Sequence, residues 1–175
     1  CVSGTAILIK NNKHYTDGDG VTGPYNDGSA NVGEWAARTG GTWANSLRVE
    51  ACNSAAGYET DNVDTVAVTA SATGLTGAVA AAVQVDRYWR WYEQFDRAPG
   101  TSEYTSIRGG SLDEMHIIIV DEDGLITGVA NEILEKYSDV SKASDALTSE
   151  GNANYYADVL YASSNYIYWM DFPAG

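Results

Sequence analysis

The segment at residues 115–120 constrains the fold most, because it is an almost unbroken run of apolar, largely β-branched residues, Met-His-Ile-Ile-Ile-Val. Such a run is typical of a central strand buried inside a sheet. The next four residues, Asp121-Glu122-Asp123-Gly124, have the composition of a tight turn with glycine at a position of positive φ. We therefore predict a central strand over residues 115–120, a turn, and a partner strand over residues 125–127.

Alternating apolar residues predict a second strand over residues 46–52. Leu47, Val49 and Ala51 fall on one side of this strand. We expect Leu47 and the nearby Trp43 to lie in the core, so that replacing either unfolds the domain. Shorter apolar runs predict further strands at residues 6–9, 63–70 and 166–170.

Three segments have the spacing of amphipathic helices. Ser29 can cap the first, residues 29–39, and the glycine pair at 40–41 can end it. Residues 129–137 and 154–162 give the other two, with polar loops predicted at residues 53–62 and 138–151. Strands interspersed with helices predict an α/β (α+β) domain, a mixed β-sheet with helices packed on it.

A length of 175 residues allows one domain, or at most two small ones. We predict that residues 1–29 form a strand and an acidic, glycine-rich loop that can join a neighbouring domain, and that residues 30–175 form the core domain. The sequence starts at Cys1 without a methionine or a signal-peptide pattern, and we therefore expect a piece of a longer protein.

The charge of the chain bears on its partners. Acidic residues outnumber basic ones by 24 to 10, which gives a formal net charge of −14. Because phosphate groups are bound by basic surfaces, we expect neither nucleic acid nor an anionic membrane as a partner. Cys1 and Cys52 are too few for a disulfide framework or a zinc site. One bridge between them fits the sequence, although two free or buried thiols are favoured.

The motifs of common enzymes are absent from the sequence. Residues 110–113, Gly-Ser-Leu-Asp, lack the second glycine of a nucleophile elbow. The Gly-x-Gly-x-x-Gly spacing at residues 18–23 follows aspartates that would repel a pyrophosphate. We therefore expect no catalytic residue, no cofactor-binding residue and no cofactor. A hydrolase built on two carboxylates has the weakest support.

Metal and ligand sites were sought among the histidines, the acidic loops and the aromatic residues. His14 and His116 lack the clustered spacing of metal ligands and are predicted to be structural. An EF-hand reading that starts at Asp121 fails at the fifth and sixth positions. We predict no metal site, while a cation at the Asp17-Gly18-Asp19 loop stays open. The aromatic residues at 88–92, with Arg87 and Arg90, could stack on sugars or bases, although core and interface packing is favoured.

Three stretches of the sequence resemble, in the same order, the sheath proteins of contractile phage tails of the T4-like type. The first is Glu-Trp-Ala-Ala-Arg-Thr-Gly-Gly-Thr-Trp-Ala-Asn-Ser-Leu-Arg-Val at residues 34–49. The second joins Ala-Pro-Gly-Thr-Ser at residues 98–102 to Asp-Glu-Met-His-Ile-Ile-Ile-Val-Asp-Glu-Asp-Gly-Leu-Ile-Thr-Gly at residues 113–128. The third comprises residues 134–141, 145–146, 154–156 and 164–167.

This resemblance implies a non-enzymatic structural protein with a sheath-core-like fold. Sheath subunits stack as rings into a helical tube around the inner tail tube, and they contract on a signal from the baseplate. The expected partners are other sheath subunits, the tail tube, the baseplate and the tail terminator, and the expected location is the virion, after assembly in the host cytoplasm. Family members are much longer than this chain, and their terminal arms add strands to neighbouring subunits. The alternative is an extracellular-type calcium- or carbohydrate-binding module.

Overall fold

Among the described residues, a three-stranded antiparallel sheet forms the centre of the fold. The computed structural model describes residues 9–18, 24–28, 33–58 and 89–172. Strand β3 (Glu114–Asp121) lies between β2 (Leu47–Cys52) and β4 (Glu132–Ser141). A separate two-stranded antiparallel sheet pairs β1 (Trp35–Ala37) with β5 (Ile167–Trp169). The predicted mixture of helices and strands is confirmed, but the described strands form two antiparallel sheets rather than one mixed sheet.

Short helices connect and cover these strands. They are α1 (Asn12–Asp17), α2 (Ala55–Tyr58), α3 (Glu103–Ile107) and α4 (Tyr156–Ser163), together with 3₁₀-helices at Thr42–Ser46 and Tyr92–Gln94. Side chains cap three of them. Asn11 accepts from the backbone N–H of His14 at the start of α1, Ser54 from that of Gly57 at the start of α2, and Ser102 from that of Thr105 at the start of α3. The prediction of a helix near residues 154–162 is confirmed by α4.

Strand β3 confirms the predicted central strand, and all eight of its residues are buried. Successive side chains of a strand point to opposite faces of the sheet. Ile117 and Ile119 accordingly pack against one core cluster, while Ile118 and Val120 pack against another. The sheet is therefore covered on both faces.

Three clusters of buried residues make up the core of the part of the chain that the structure describes. The first joins Met115, Ile117, Ile119 and Val140 to Tyr156, Ala157, Leu160, Ile167 and Trp169. The second joins Ile118 and Val120 to Cys52, Tyr58, Trp89 and Phe95. The third packs Ile9, Tyr15 and Tyr25 against Tyr168 and Met170. Residues from the first part of the chain thus contact the last strand, while the domain boundary at residue 29 stays a prediction.

The prediction of a helix over residues 129–137 is wrong, because this segment enters β4. Ile133 pairs with Val120 and Glu135 with Ile119, so Leu134 is an extra residue in the register. A second shift in register lies between Met115 and Ile117. Such bulges interrupt the alternation of a strand, and here they give the apolar residues a spacing that resembles a helix. The partner strand predicted at residues 125–127 is also wrong, since those residues belong to the turn before β4.

The predicted helix over residues 29–39 is wrong in its described part, because residues 35–37 form β1. Trp35 pairs with Trp169, and the pairing is extended by hydrogen bonds from Met170 N to Glu34 O and from Arg38 N to Tyr166 O. Tertiary pairing thus satisfies the backbone in place of helical hydrogen bonds. The expected cap at Ser29 lies outside the described residues.

Other sequence predictions have mixed outcomes. The strand over residues 46–52 is confirmed by β2, with Leu47 packed against the first cluster, and the last strand is confirmed by β5. Trp43 was wrongly placed in the core: it is half-buried and outside the three clusters of described residues. The predicted polar loops contain α2 and the end of β4. The strands predicted at residues 6–9 and 63–70 lie outside the described residues, apart from the buried Ile9.

The position of Ile118 generates a stability prediction. Its side chain is 0% exposed on β3, and Ile118→Ala should therefore lower the free energy of unfolding by about 3 kcal/mol. Ile107→Ala is the matched control, because Ile107 is 74% exposed, and its effect should stay within about 0.5 kcal/mol. Urea unfolding followed by tryptophan fluorescence measures both. Equal effects of the two substitutions would contradict the placement of β3.

Candidate functional site

The carboxylate of Asp121 organises one end of β3. Asp121 is fully buried, and it accepts hydrogen bonds from the hydroxyl of Ser46, the backbone N–H of Ile126 (2.9 Å) and both the N–H (2.7 Å) and the hydroxyl (2.9 Å) of Thr127. Burial raises the pKa of Asp121, but the hydrogen bonds outweigh it and hold the pKa well below its usual range. Asp121 is therefore an ionised structural group whose oxygens are already engaged.

Residues 122–131 form a fixed loop around this carboxylate, which we call the acidic loop. The hydroxyl oxygen of Ser46 also accepts from the N–H of Asp123 at 2.9 Å. Gly124 has φ +75°, and a Cβ there would lie 2.9 Å from the backbone nitrogen of Ala130, so the loop requires glycine. Leu125 and Val129 are nevertheless 58% and 57% exposed. The loop therefore presents two apolar side chains on a preorganised backbone.

Two more buried carboxylates fix the other end of β3. Asp113 accepts hydrogen bonds from the N–H (2.8 Å) and hydroxyl (2.7 Å) of Ser102 and from the hydroxyl of Ser141. Burial raises the pKa of Asp113, and these hydrogen bonds more than compensate, so the pKa is lowered overall. Glu114 forms a two-pronged ion pair with Arg97, with N–O distances of 2.6 and 2.9 Å. These carboxylates attach α3 and its preceding loop to the sheet.

A groove lies between α3 and the loop that contains residues 147–149. Its volume is about 270 Å³, and it is lined by Glu103, Tyr104, Ile107, Arg108, Leu147, Thr148 and Ser149. The guanidinium carbon of Arg108 lies 3.4 Å from the centre of the Tyr104 ring. Ile107 and Leu147 are 74% and 44% exposed. We call this feature the α3 groove, and it combines apolar side chains with one cation, Arg108, and one carboxylate, Glu103.

A second groove of about 270 Å³ is lined by aromatic and polar side chains: Tyr15, Thr16, Asn26, Tyr155, Ala157, Asp158, Tyr161 and Trp169. We call it the tyrosine groove. The guanidinium of Arg38 lies beside it, 4.6 Å from the Tyr168 ring centre, and donates to the carbonyls of Leu160 (3.1 Å) and Ile167 (2.9 Å). These contacts hold the end of α4 against β5.

Both histidines make contacts within the protein, His116 in the core and the half-buried His14 on α1. His116 is 1% exposed, its Nε2 lies 2.8 Å from the carbonyl oxygen of Arg97, and its Nδ1 accepts from the N–H of Asp139 at 3.1 Å. Its ring stacks on Phe95 at 4.4 Å. His14 accepts from the N–H of Lys10 through Nδ1 at 3.1 Å. Both histidines occupy positions suited to structural roles.

The other residues singled out in the sequence lie apart from one another. Asp17 pairs with Lys13 on the surface of α1, and Asp19 lies outside the described residues. In the part of the chain that the structure describes, no group of three acidic, histidine or cysteine side chains could hold a metal ion. Cys52 is a free, buried thiol, and burial raises its pKa, whereas Cys1 lies outside the described residues.

The aromatic segment at residues 89–92 contributes mainly to packing. Trp89 belongs to the second core cluster, with its ring 5.0 Å from that of Phe95. The guanidinium of Arg90 lies 4.5 Å from the Trp91 ring. Core packing is thus confirmed for Trp89, while Arg87 and Tyr88 lie outside the described residues.

Sequence reasoning missed both grooves. The tyrosine groove brings together residues from α1 and α4, which are some 140 residues apart in the chain. The α3 groove joins α3 to a loop some 40 residues later, with no shared motif. The only signal in the sequence was its content of twelve tyrosines.

Comparisons with known proteins identified no relative of this chain. No protein-family model, no curated protein sequence and no solved structure matches the chain. Among the described residues, no helix is long and apolar enough to cross a membrane.

The lowered pKa of Asp121 generates a pH prediction. The ionised carboxylate stabilises the fold above the unfolded-state pKa of about 4, and this stabilisation is lost as the pH falls towards the lower folded-state pKa. Asp121→Asn should therefore lower the melting temperature at pH 7 by several degrees, and its difference from the unsubstituted chain should shrink below about pH 4. Calorimetry across this range measures the difference. A gap that stays constant down to pH 2 would exclude the ionised carboxylate as its cause.

Proposed function

We propose that the chain is a structural segment of a contractile phage tail sheath subunit. It assembles with other copies around the tail tube, and contraction of the assembly drives the tube through the host envelope. Its partners are other sheath subunits, the tube, the baseplate and the tail terminator, and its location is the virion. The role is mechanical and not enzymatic.

One observation carries this proposal: the second stretch that resembles sheath proteins contains buried carboxylates that hold both ends of β3. Residues 98–102 and 113–128 form one connected unit, in which Asp113 binds Ser102 and Asp121 binds the acidic loop. Their carboxylates satisfy backbone and hydroxyl donors of the protein itself. A resemblance that falls on such residues supports a shared fold, whereas one on exposed polar residues would support a shared ligand.

The packing of the domain suits a mechanical role. Contraction of a sheath moves nearly rigid subunits between two arrangements of their interfaces. The central sheet is covered by buried clusters on both faces, and buried carboxylates lie at both ends of β3. Both features make the sheet rigid. A rigid body of this kind can transmit a displacement at one contact to another contact.

Electron microscopy tests the proposal. The protein should be expressed alone, together with any residues that flank this chain in its gene. It should form tubes or stacked rings at moderate salt. At low salt a formal charge of −14 opposes association, so the yield of assemblies should rise with ionic strength. Dispersed monomers at every ionic strength would contradict a sheath function.

A second candidate function, carbohydrate binding, is favoured by the tyrosine groove. Tyrosine rings stack on sugar faces, and the side chains of Asn26 and Asp158 in the same groove can bind hydroxyl groups. The groove is open to one side of α4, where Tyr161 is 38% exposed. The carbohydrate-binding hypothesis predicts that the protein binds a small ligand, whereas the sheath proposal predicts self-assembly.

Thermal shift with neutral oligosaccharides tests this second candidate. A bound sugar should raise the melting temperature, and Tyr161→Ala should abolish the rise. Tyr104→Ala is the matched control, because Tyr104 lies in the α3 groove. Titration with Ca²⁺ in the same assay tests the calcium alternative. If neither the oligosaccharides nor Ca²⁺ changes the melting temperature, the binding-module hypothesis is contradicted.

A further inference from the structure

We propose that copies of this chain bind one another head to tail, with the acidic loop of one copy seated in the α3 groove of the next. This inference rests on the proposed function and names the surfaces by which the subunits meet. The loop is residues 122–131, and the groove is the one lined by Tyr104, Ile107, Arg108 and Leu147.

Charge supports this pairing. Arg108 is exposed, and its described contacts are the ring and carbonyl of Tyr104, with no carboxylate partner among the described residues. Asp123 is exposed on the acidic loop, and no described cation pairs with it. Because the chain has a formal charge of −14, a second copy offers many exposed carboxylates, and one of them can form an ion pair with Arg108. Glu103 also lines the groove, and its carboxylate would repel that of Asp123. The contact therefore requires Asp123 to lie closer to Arg108 than to Glu103.

Apolar contacts complete the fit. Leu125 and Val129 project from the loop, and Ile107 and Leu147 line the groove, all four of them exposed in the single chain. Burying such side chains on association is favourable. The hydrogen bonds to Asp121 and Ser46 already fix the loop backbone, so little conformational freedom is lost when the loop binds.

The position of the two surfaces makes the contact head to tail. The acidic loop follows Asp121, whereas α3 is attached through Ser102 to Asp113, just before the other end of β3. Eight extended residues separate the two ends by about 24 Å. Two different surfaces at opposite ends of a molecule form a heterologous contact, which produces rings or helical filaments and not a closed pair.

Charge reversal tests the inference. In the full-length protein, Arg108→Glu and Asp123→Arg should each weaken association by about tenfold, because each places like charges in the contact. An equimolar mixture of the two variants should recover association, since each groove then meets a loop of opposite charge. Lys10→Glu changes the net charge as Arg108→Glu does and is the control for that change. Sedimentation velocity at moderate salt measures association, and circular dichroism checks the fold.

The apolar part of the contact has its own matched pair. Leu125→Ser should weaken association, whereas Leu112→Ser should not, because Leu112 is similarly exposed (66%) but lies outside both surfaces. If the unsubstituted protein assembles while Arg108→Glu and Leu125→Ser assemble equally well, this inference is overturned and the sheath proposal stands. If the unsubstituted protein never associates, both are overturned.

Discussion

The satisfaction of buried carboxylates is the constraint on which the rest of the structure depends. Asp113 and Asp121 flank the most apolar strand of the chain, where an unpaired charge would be severely destabilising. Each is surrounded by hydroxyl and N–H donors from distant segments, among them Ser46, Ser102 and Ser141. Meeting this requirement fixes where β2, α3 and β4 begin or end, and so it determines the geometry of both ends of the sheet.

Sequence patterns predicted elements whose pattern was uninterrupted. β3 was found because its run of apolar, β-branched residues is almost unbroken, and β2 because its apolar residues alternate. α4 was found because its spacing is helical. β4 was missed because extra residues in its register, such as Leu134, break that period. β1 was missed because its conformation depends on pairing with β5, some 130 residues away, which no local pattern reports.

The candidate surfaces were harder to predict than the fold. The sequence identified Asp121-Glu122-Asp123-Gly124 as a turn, and Gly124 does have the expected positive φ. It gave no indication that Leu125 and Val129 would be exposed. The loop is held by hydrogen bonds from the N–H of Leu125 to Ser46, of Ile126 to Asp121 and of Val129 to Thr127. Exposure of an apolar side chain is a property of the assembled fold, and the same residues in sequence suggested a strand and a helix.

The antiparallel pairing of β3 has a mechanical consequence if its two ends carry the contacts between subunits. Hydrogen bonds of an antiparallel ladder lie perpendicular to the strands. A load passed from one subunit to the next would act along β3, and it would shear the ladders to β2 and β4 together instead of opening them one bond at a time. Such an arrangement resists tension well, so the domain would yield at its contacts with neighbours before its central strand came apart.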